Sequence, residues 1–365
     1  MSWLLAFLGF AALIVLHEAG HFAAAKAVGM RVERFALFFP PLLARRRRGE
    51  TEYAIGAIPL GGYVKITGMN PAEEIPPEVA HRAYFRQPVW KRIVVIAAGP
   101  AVNIVLAFLI LAGVYWANGT TEPPPRVAEV NAGTPAARVL QPGDVLVSVD
   151  GRRPPAGGDL REQTQAISRQ IAGHRCAGAA GVGCRATEPV TLQIRRDGQL
   201  RSVRATPVYD AKARRPLLGF TFGGTDHPAG PLRAAGLSVE TMWNVTSTTV
   251  EVIAGIFEAE KREQISGVVG SYEVTRQSIE ISLAQSMFLL AVISLSLGVI
   301  NLFPFLPLDG GHIFWALAEK VRGKAIPFAT MERAGFVGFA LVMVLFVIGF
   351  TNDLGRLMGE GFNVR

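Results

Sequence analysis

Four apolar runs, at residues 3–25, 93–116, 283–305 and 336–350, constrain this chain more than any other feature of its sequence. A helix that crosses a bilayer needs about 20 predominantly apolar residues, and the first three runs reach that length. The fourth is the shortest, and a tilted helix or a locally thinned bilayer accommodates it. Half of the 365 residues are hydrophobic, which a large soluble core would also explain, but concentration into a few long runs selects the bilayer. The sequence therefore predicts a polytopic α-helical membrane protein with four transmembrane helices.

The first run does not read as a cleaved leader. It lacks a basic n-region, and His17, Glu18 and His21 interrupt what would be its apolar centre, so the N-terminus is expected to stay attached. The net charge of +8 is distributed in the same frame. Lysine and arginine crowd the loop between the first two runs, including Arg45, Arg46, Arg47 and Arg48, and recur at Lys320, Arg322, Lys324 and Arg333 between the last two. Cytoplasmic loops carry this excess, so both loops are expected inside, with both termini and residues 117–283 outside the cytoplasm. The four-arginine run then serves as a topology determinant or contacts anionic lipid headgroups, and nucleic acid is not an expected partner. Cys176 and Cys184 fall in the outer segment, where a disulfide is permitted and two unpaired thiols are the alternative.

Residues 53–67 read as two extended stretches around Pro59, Leu60, Gly61 and Gly62, which predicts a hairpin. Its apolar character suggests a membrane re-entrant element lining a protein cavity; an ordinary cytoplasmic hairpin is the alternative. Pro123, Pro124 and Pro125 mark a linker into a small β-rich domain, with short strands expected at 127–130, 145–149, 190–194 and 200–208. Its stretch from Gly143 to Gly151, preceded by a short helical segment at 134–140, resembles a PDZ domain. That resemblance implies a carboxylate-binding loop at Leu217, Leu218, Gly219 and Phe220, followed by an edge strand able to add a C-terminal peptide. Residues 231–286 are amphipathic and helical, broken at 267–270, and are expected along the outer membrane surface. The expected parts are 1–118 (two spans and the hairpin), 119–226 (β-rich), 227–282 (juxtamembrane helices) and 283–365 (two spans).

His17, Glu18, Ala19, Gly20 and His21 match H-E-x-x-H, in which two imidazoles at i and i+4 share one helix face and the glutamate reaches the metal-bound water. Five residues of pattern alone are weak evidence, since a surface helix can carry two histidines and a glutamate to no purpose. Here the motif lies about 14 residues, or ~21 Å, into an apolar helix. Ionisable groups at that depth are expensive unless partnered, so their presence is itself a functional signal. A catalytic zinc takes three protein ligands, and two histidines are one short. Asp309 is the candidate: it follows the third run, after Pro304 and Pro307 break the helix, and Gly310 and Gly311 permit close backbone approach. Taken alone, Asp309 would be an N-cap for a helix at 313–322. Topology favours the ligand, because the first and third spans both run inward and bring the pair and Asp309 to one depth.

With these motifs the chain resembles the site-2 proteases, intramembrane zinc metalloproteases, and within them the bacterial regulator-of-sigma-E protease branch. The resemblance rests on H-E-x-G-H, on Gly61, Gly62, Tyr63, Val64 and Lys65, on Gly99, Pro100, Ala101, Val102 and Asn103, on the PDZ-like stretch, and on the segment from Asn301 to Gly311. It implies one Zn2+ per chain held by His17, His21 and Asp309, with Glu18 as catalytic base. It also implies a hairpin that pairs with an unwound substrate through Gly61, Gly62, Tyr63 and Val64, and Asn301 with Pro304 positioning substrate backbone. The implied substrates are single-span membrane proteins, such as anti-sigma factors or remnant signal peptides, cleaved in the bacterial inner membrane toward its cytoplasmic side. Two departures stand out: the family's second proline is shifted one place to Pro307, and one PDZ-like domain stands where the best-known members carry two. A scaffold with a structural metal would have no use for Glu18, and a transporter with a proton relay would show repeated halves, which the sequence lacks.

Overall fold

The computed structural model describes residues 2–70, 73–155, 160–176, 184–210, 215–227, 229–256, 258, 261–262 and 265–358. The chain divides into two compact units, one formed by Met1–Val114 with Pro231–Arg365 and the other by Tyr115–Gly230.

The first unit holds helix α1 (Ser2–Ala27) and α2 (Val89–Asn118) up to Val114, and after the second unit α4 (Pro231–Ala254), α5 (Val268–Ile281), α6 (Leu283–Asn301), α7 (Asp309–Arg322) and α8 (Phe328–Met358). Among the described residues, four helices are long and apolar enough to cross a membrane: α1, α2, α6 and residues Ala329–Met358 of α8. Their large side chains point outward, as Trp3, Leu4, Leu5 and Leu8 do on α1. What α1 buries is mostly small or polar: Ala6, Leu13, His17, Gly20, His21 and Ala25, spaced to form one stripe. The buried stripe of α6 is similar, with Ser286, Ala291, Ser294, Leu295 and Gly298. Small residues let helix backbones approach where hydrophobicity offers no drive for helices to associate.

The third predicted span is shorter than expected, because α6 ends at Asn301 before the two prolines. The fourth is longer: its ends are polar, which lowers the hydropathy without stopping the helix. Asp353 near its C-terminal end is fully buried and accepts the backbone N–H groups of Gly270 (2.7 Å) and Gly267 (3.1 Å), capping the start of α5. The predicted break at 267–270 accordingly lies earlier, since Gly267 is the N-cap of α5 and Gly270 sits inside it.

The expected hairpin within 53–67 is corrected. Strands β1 (Val32–Arg48) and β2 (Thr51–Ile66) form one long irregular ribbon whose turn lies at Gly49 and Glu50. The two extended stretches are present but do not pair with each other. Arg34, Phe35, Ala36 and Leu37 are partnered twice, by Lys65, Val64, Tyr63 and Gly62 on one side and by Glu52, Tyr53, Ala54 and Ile55 on the other. Residues 32–37 thus lie between them, and residues 42–48 pair with 51–56 at the far edge. Glycine at position 56 is what the ribbon's fold requires, because a Cβ there would run into the Phe39 carbonyl.

In the second unit, strands β3 (Thr120–Val130), β4 (Val145–Val149), β5 (Val190–Arg196), β6 (Gln199–Ala205) and β9 (Phe220–His227) form an antiparallel sheet in the order β6-β5-β4-β3-β9, and β7 (Val208–Asp210) pairs with β8 (Arg215–Leu217). Helix α3 (Leu160–Ala172) covers the sheet through Ile167 and Ile171. The core is large and aliphatic, with Leu146, Val149, Ile167, Leu192 and Ile194 essentially closed to solvent. Each such side chain contributes roughly 1.5–3 kcal/mol on burial. Cys176 and Cys184 form a disulfide, with Cα atoms 6.0 Å apart.

Three expectations change here. Pro123, Pro124 and Pro125 lie inside β3 instead of a linker; they occupy the place where the β3–β9 register shifts, between Glu122 and Arg126, where a residue without an N–H removes no ladder bond. The strand expected at 200–208 is two, β6 and β7, separated at Thr206 and Pro207. The helical segment expected at 134–140 shrinks to a single 3-10 turn at Ala136–Arg138.

Candidate metal centre

The i, i+4 spacing on α1 places the two imidazoles edge-on to each other, with ring centroids 4.9 Å apart and both side chains buried. Asp309 reaches them from the first turn of α7. His17 Nε2 and His21 Nε2 each lie 3.3 Å from Asp309 Oδ2, and 3.3 Å from one another. A tetrahedral ion with bonds of about 2.0–2.1 Å keeps its ligand atoms about 3.3–3.4 Å apart. The triangle has that edge on all three sides, and among the described residues it is the one cluster of three or more such groups within metal-sharing distance. The donor set, two neutral nitrogens and one carboxylate oxygen, suits zinc.

Further contacts orient these groups. His21 Nδ1 lies 2.9 Å from the Val95 carbonyl oxygen. A carbonyl only accepts, so Nδ1 carries the proton and Nε2 keeps its lone pair for a metal. The ring fits because position 99 on α2 is glycine: a Cβ there would overlap the His21 imidazole. Gly20 permits the matching approach of α1 to the Ala98 carbonyl, 2.6 Å from where its Cβ would be. Asn103, one turn beyond Gly99, is fully buried beside Gly298 of α6.

Asp309 is not a cap. Helix α7 has Leu308 as its N-cap and no side-chain cap bond, which leaves the carboxylate free to face the histidines. Two features hold it there. Gly310 and Gly311 pack directly on the backbone of residues 302–306, where a Cβ would collide with the Leu302 carbonyl and with Leu306 N. Further along α7, Glu319 forms a bidentate pair with the buried Arg92 of α2, at 2.7 and 3.0 Å. Two parallel charge-assisted bonds fix orientation as well as distance. Of the residues singled out in the same segment, Asn301 donates its side-chain amide to the Leu297 carbonyl of its own helix at 3.0 Å, and Pro304 is exposed in the connection between α6 and α7.

The ribbon meets the same site. A Cβ at Gly62 would sit 2.8 Å from Glu18 Cγ, so the glycine lets the strand lie against the glutamate. Gly61 lies on the Phe39 ring, and Tyr63 stacks on that ring at 6.1 Å. Val64 pairs with Phe35. Residues 62–66 pair with β1 on one edge, and no other strand among the described residues pairs with the opposite edge. A groove of about 590 Å3 runs there, lined by Tyr63, Val64, Lys65, Ile66 and Glu73 among others.

The predicted carboxylate loop lies in the second unit. Leu218 is buried and its carbonyl accepts Ala136 N–H at 2.8 Å; Gly219, at φ +84°, offers its carbonyl to Asn131 N–H and Thr134 Oγ1. Phe220 opens β9, the outer strand of the sheet beside β3.

Sequence reasoning missed Val95, the Arg92–Glu319 pair and the pairing role of residues 32–37. Arg92 carried a signal, a charge at the start of an apolar run, but nothing in the sequence names its partner.

The sequence matches peptidase family M50 over residues 5–345. It is 29% identical over 371 residues to R01501 of Rhizobium meliloti, named as a candidate zinc metalloprotease, covering 95% of this chain and 94% of that one. It is 29% identical over 388 residues to the metalloprotease MmpA of Caulobacter vibrioides, covering 94% and 93%. Among solved structures, the PDZ domain of the SdrC-like protein of Listeria innocua aligns with 29% of this chain and all of its own, at 18% identity and a TM-score of 0.22.

Proposed function

The chain belongs to peptidase family M50 and is a membrane zinc metalloendopeptidase; we propose that it cleaves the transmembrane segments of single-span proteins, using His17, His21 and Asp309 as ligands to one Zn2+ and Glu18 as general base. The observation that carries this reading is the 3.3 Å triangle of His17 Nε2, His21 Nε2 and Asp309 Oδ2, with both histidines on a helix apolar enough to span a bilayer. Zinc at this position supplies Lewis acidity, lowering the pKa of water and polarising a carbonyl. Glu18, between the two histidines in sequence and against the ribbon at Gly62, takes the proton from the attacking water and returns it to the leaving amine.

A substrate helix hides its carbonyls in i to i+4 bonds and must unwind before attack. The free edge of residues 62–66 offers the backbone groups that an unwound segment needs, as an added strand, and Asn301 with Pro304 is assigned to positioning its backbone. This makes the ribbon a re-entrant element at membrane depth. Both basic loops face the cytoplasm of a bacterial inner membrane, and the termini and the β-rich unit lie on the other side. That unit acts in the manner of a PDZ domain: β9 is an outer strand, Leu218 and Gly219 precede it and Phe220 opens it, where a C-terminal peptide would bind. Anti-sigma factors and remnant signal peptides, already trimmed outside the membrane, are the substrates this arrangement suits.

The test is reconstitution of the full chain in detergent with a trimmed single-span substrate. Cleavage is expected, lost on adding a chelator and restored by zinc; cleavage indifferent to the chelator would overturn the reading.

A further inference from the structure

Several basic side chains in and beside the ribbon have an acid partner. Lys26 and Arg82 share Glu50, Arg34 holds Glu52 at 2.6 Å, and Lys65 bridges Glu33 and Glu73. Arg45, Arg46, Arg47 and Arg48 differ: all four are exposed along the outer stretch of β1, and none forms an ion pair among the described residues. Four uncompensated charges on one edge repel each other and call for an anion.

The surface beside them is apolar. A groove of about 410 Å3 is walled by Phe35, Leu37, Tyr53 and Ile55 of the ribbon and by Val15 of α1, with Arg45 and Arg46 completing its lining. Tyr53 and Ile55 are 38% and 47% exposed, which leaves an apolar face beside the arginines. An apolar trough ending on guanidinium groups matches one kind of ligand: an acyl chain joined to a negatively charged headgroup. Arginine's planar fork binds phosphate oxygens in pairs, which a point charge does not.

We propose that the groove between α1 and the outer ribbon is a binding site for an anionic phospholipid of the surrounding bilayer, with its phosphate on Arg45 and Arg46 and a chain along Phe35, Leu37 and Ile55. The site rests on the membrane reading and is independent of the peptidase chemistry. It gives the ribbon an anchor at headgroup depth, on the side away from the free edge at 62–66.

The experiment uses the full chain reconstituted in vesicles of equal parts phosphatidylglycerol and phosphatidylcholine, extracted in detergent, washed, and assayed for retained lipid by mass spectrometry and for bound zinc. Wild type is expected to retain phosphatidylglycerol selectively. The variant Arg45→Gln/Arg46→Gln is expected to retain about thirtyfold less, from about fivefold per arginine at an anionic surface, with zinc content unchanged. A second variant, Ile55→Asp, is expected to lose retention with all four arginines in place. Equal retention of the two lipids, unchanged retention in the arginine variant, or full displacement by inorganic phosphate would overturn the proposal. Zinc content read on the same samples separates that failure from a failure of the peptidase reading.

Discussion

The β-rich unit and the membrane-spanning helices of the other unit bury different chemistry. In the β-rich unit the interior is leucine, isoleucine and valine, and its fully buried side chains have no work beyond excluding water. On the membrane-spanning helices of the other unit many large apolar side chains face outward, while glycine, alanine, serine, histidine and asparagine face in beside a few larger ones such as Leu13, Val95 and Leu111. The difference follows from the solvent. Water drives apolar groups inward, whereas a bilayer offers them no such drive and leaves close approach and polar contacts to hold helices together. Buried polar residues in both units can be structural, as Asp353 and Arg92 are in the helical unit, but the deep histidines are not. In the β-rich unit Asp144 is a structural group, matched by Arg196 at 2.6 Å, which with the Gln141 N–H outweighs its burial and lowers its carboxyl pKa. In the helical unit His17 and His21 have no such role, and their depth marks the site.

The largest expected effect tests that distinction directly. Glu18→Gln keeps size and hydrogen bonding, so zinc content should stay at the wild-type level while cleavage falls about 10²–10⁴-fold; a small loss of rate would leave Glu18 without its assigned role. Leu192→Ala belongs to the opposite pole. It empties a fully buried position and should destabilise the β-rich unit by about 2–5 kcal/mol in denaturant unfolding, with metal binding unaffected. An intermediate case is Gly99→Ala, a change of one methyl. The new Cβ would overlap the His21 ring, so chelator competition should show zinc affinity lower by about 10–100-fold, whereas the same change at the exposed Gly113 should leave it unaltered.

The smallest effect concerns pH. Arg82 and Lys26 hold the Glu50 carboxyl down at about 2, against an ordinary value near 4.5. A depressed folded-state pKa contributes stability above the unfolded value and loses it as pH falls through the folded one, so the contribution should fade between about pH 4.5 and 2. Because the pair is a third exposed, it should amount to ~1 kcal/mol or less, and Glu50→Gln should flatten that part of the stability profile.

Much of this was legible in the sequence, for reasons that differ along the chain. The spans were legible because hydropathy is a one-dimensional property that the bilayer reads directly. His17 and His21 were legible because helical spacing alone puts them on one face. Asp309 became legible through the glycines that follow it, which announce backbone contact before any contact is known. The ribbon was only half legible: residues 53–67 looked extended, but their partner at 32–37 contains Phe35, Ala36 and Leu37 amid charges and gives no strand period. Helix α3 could have been found from Gln163, Ile167 and Ile171, spaced four apart. The proline run misled because proline usually marks a linker, and only the register shift in β3 makes it compatible with a strand. Long-range pairs such as Arg92 with Glu319 lay beyond any local rule.

The central claim is that groups about 290 residues apart in sequence form one metal site. Bound zinc per chain, measured on purified wild type and Asp309→Ala, tests it most directly. The expected result is one zinc per wild-type chain and loss of it in the variant, with the helical content of both unchanged. Full zinc occupancy in Asp309→Ala would contradict the account, since His17 and His21 would then be completing their site elsewhere.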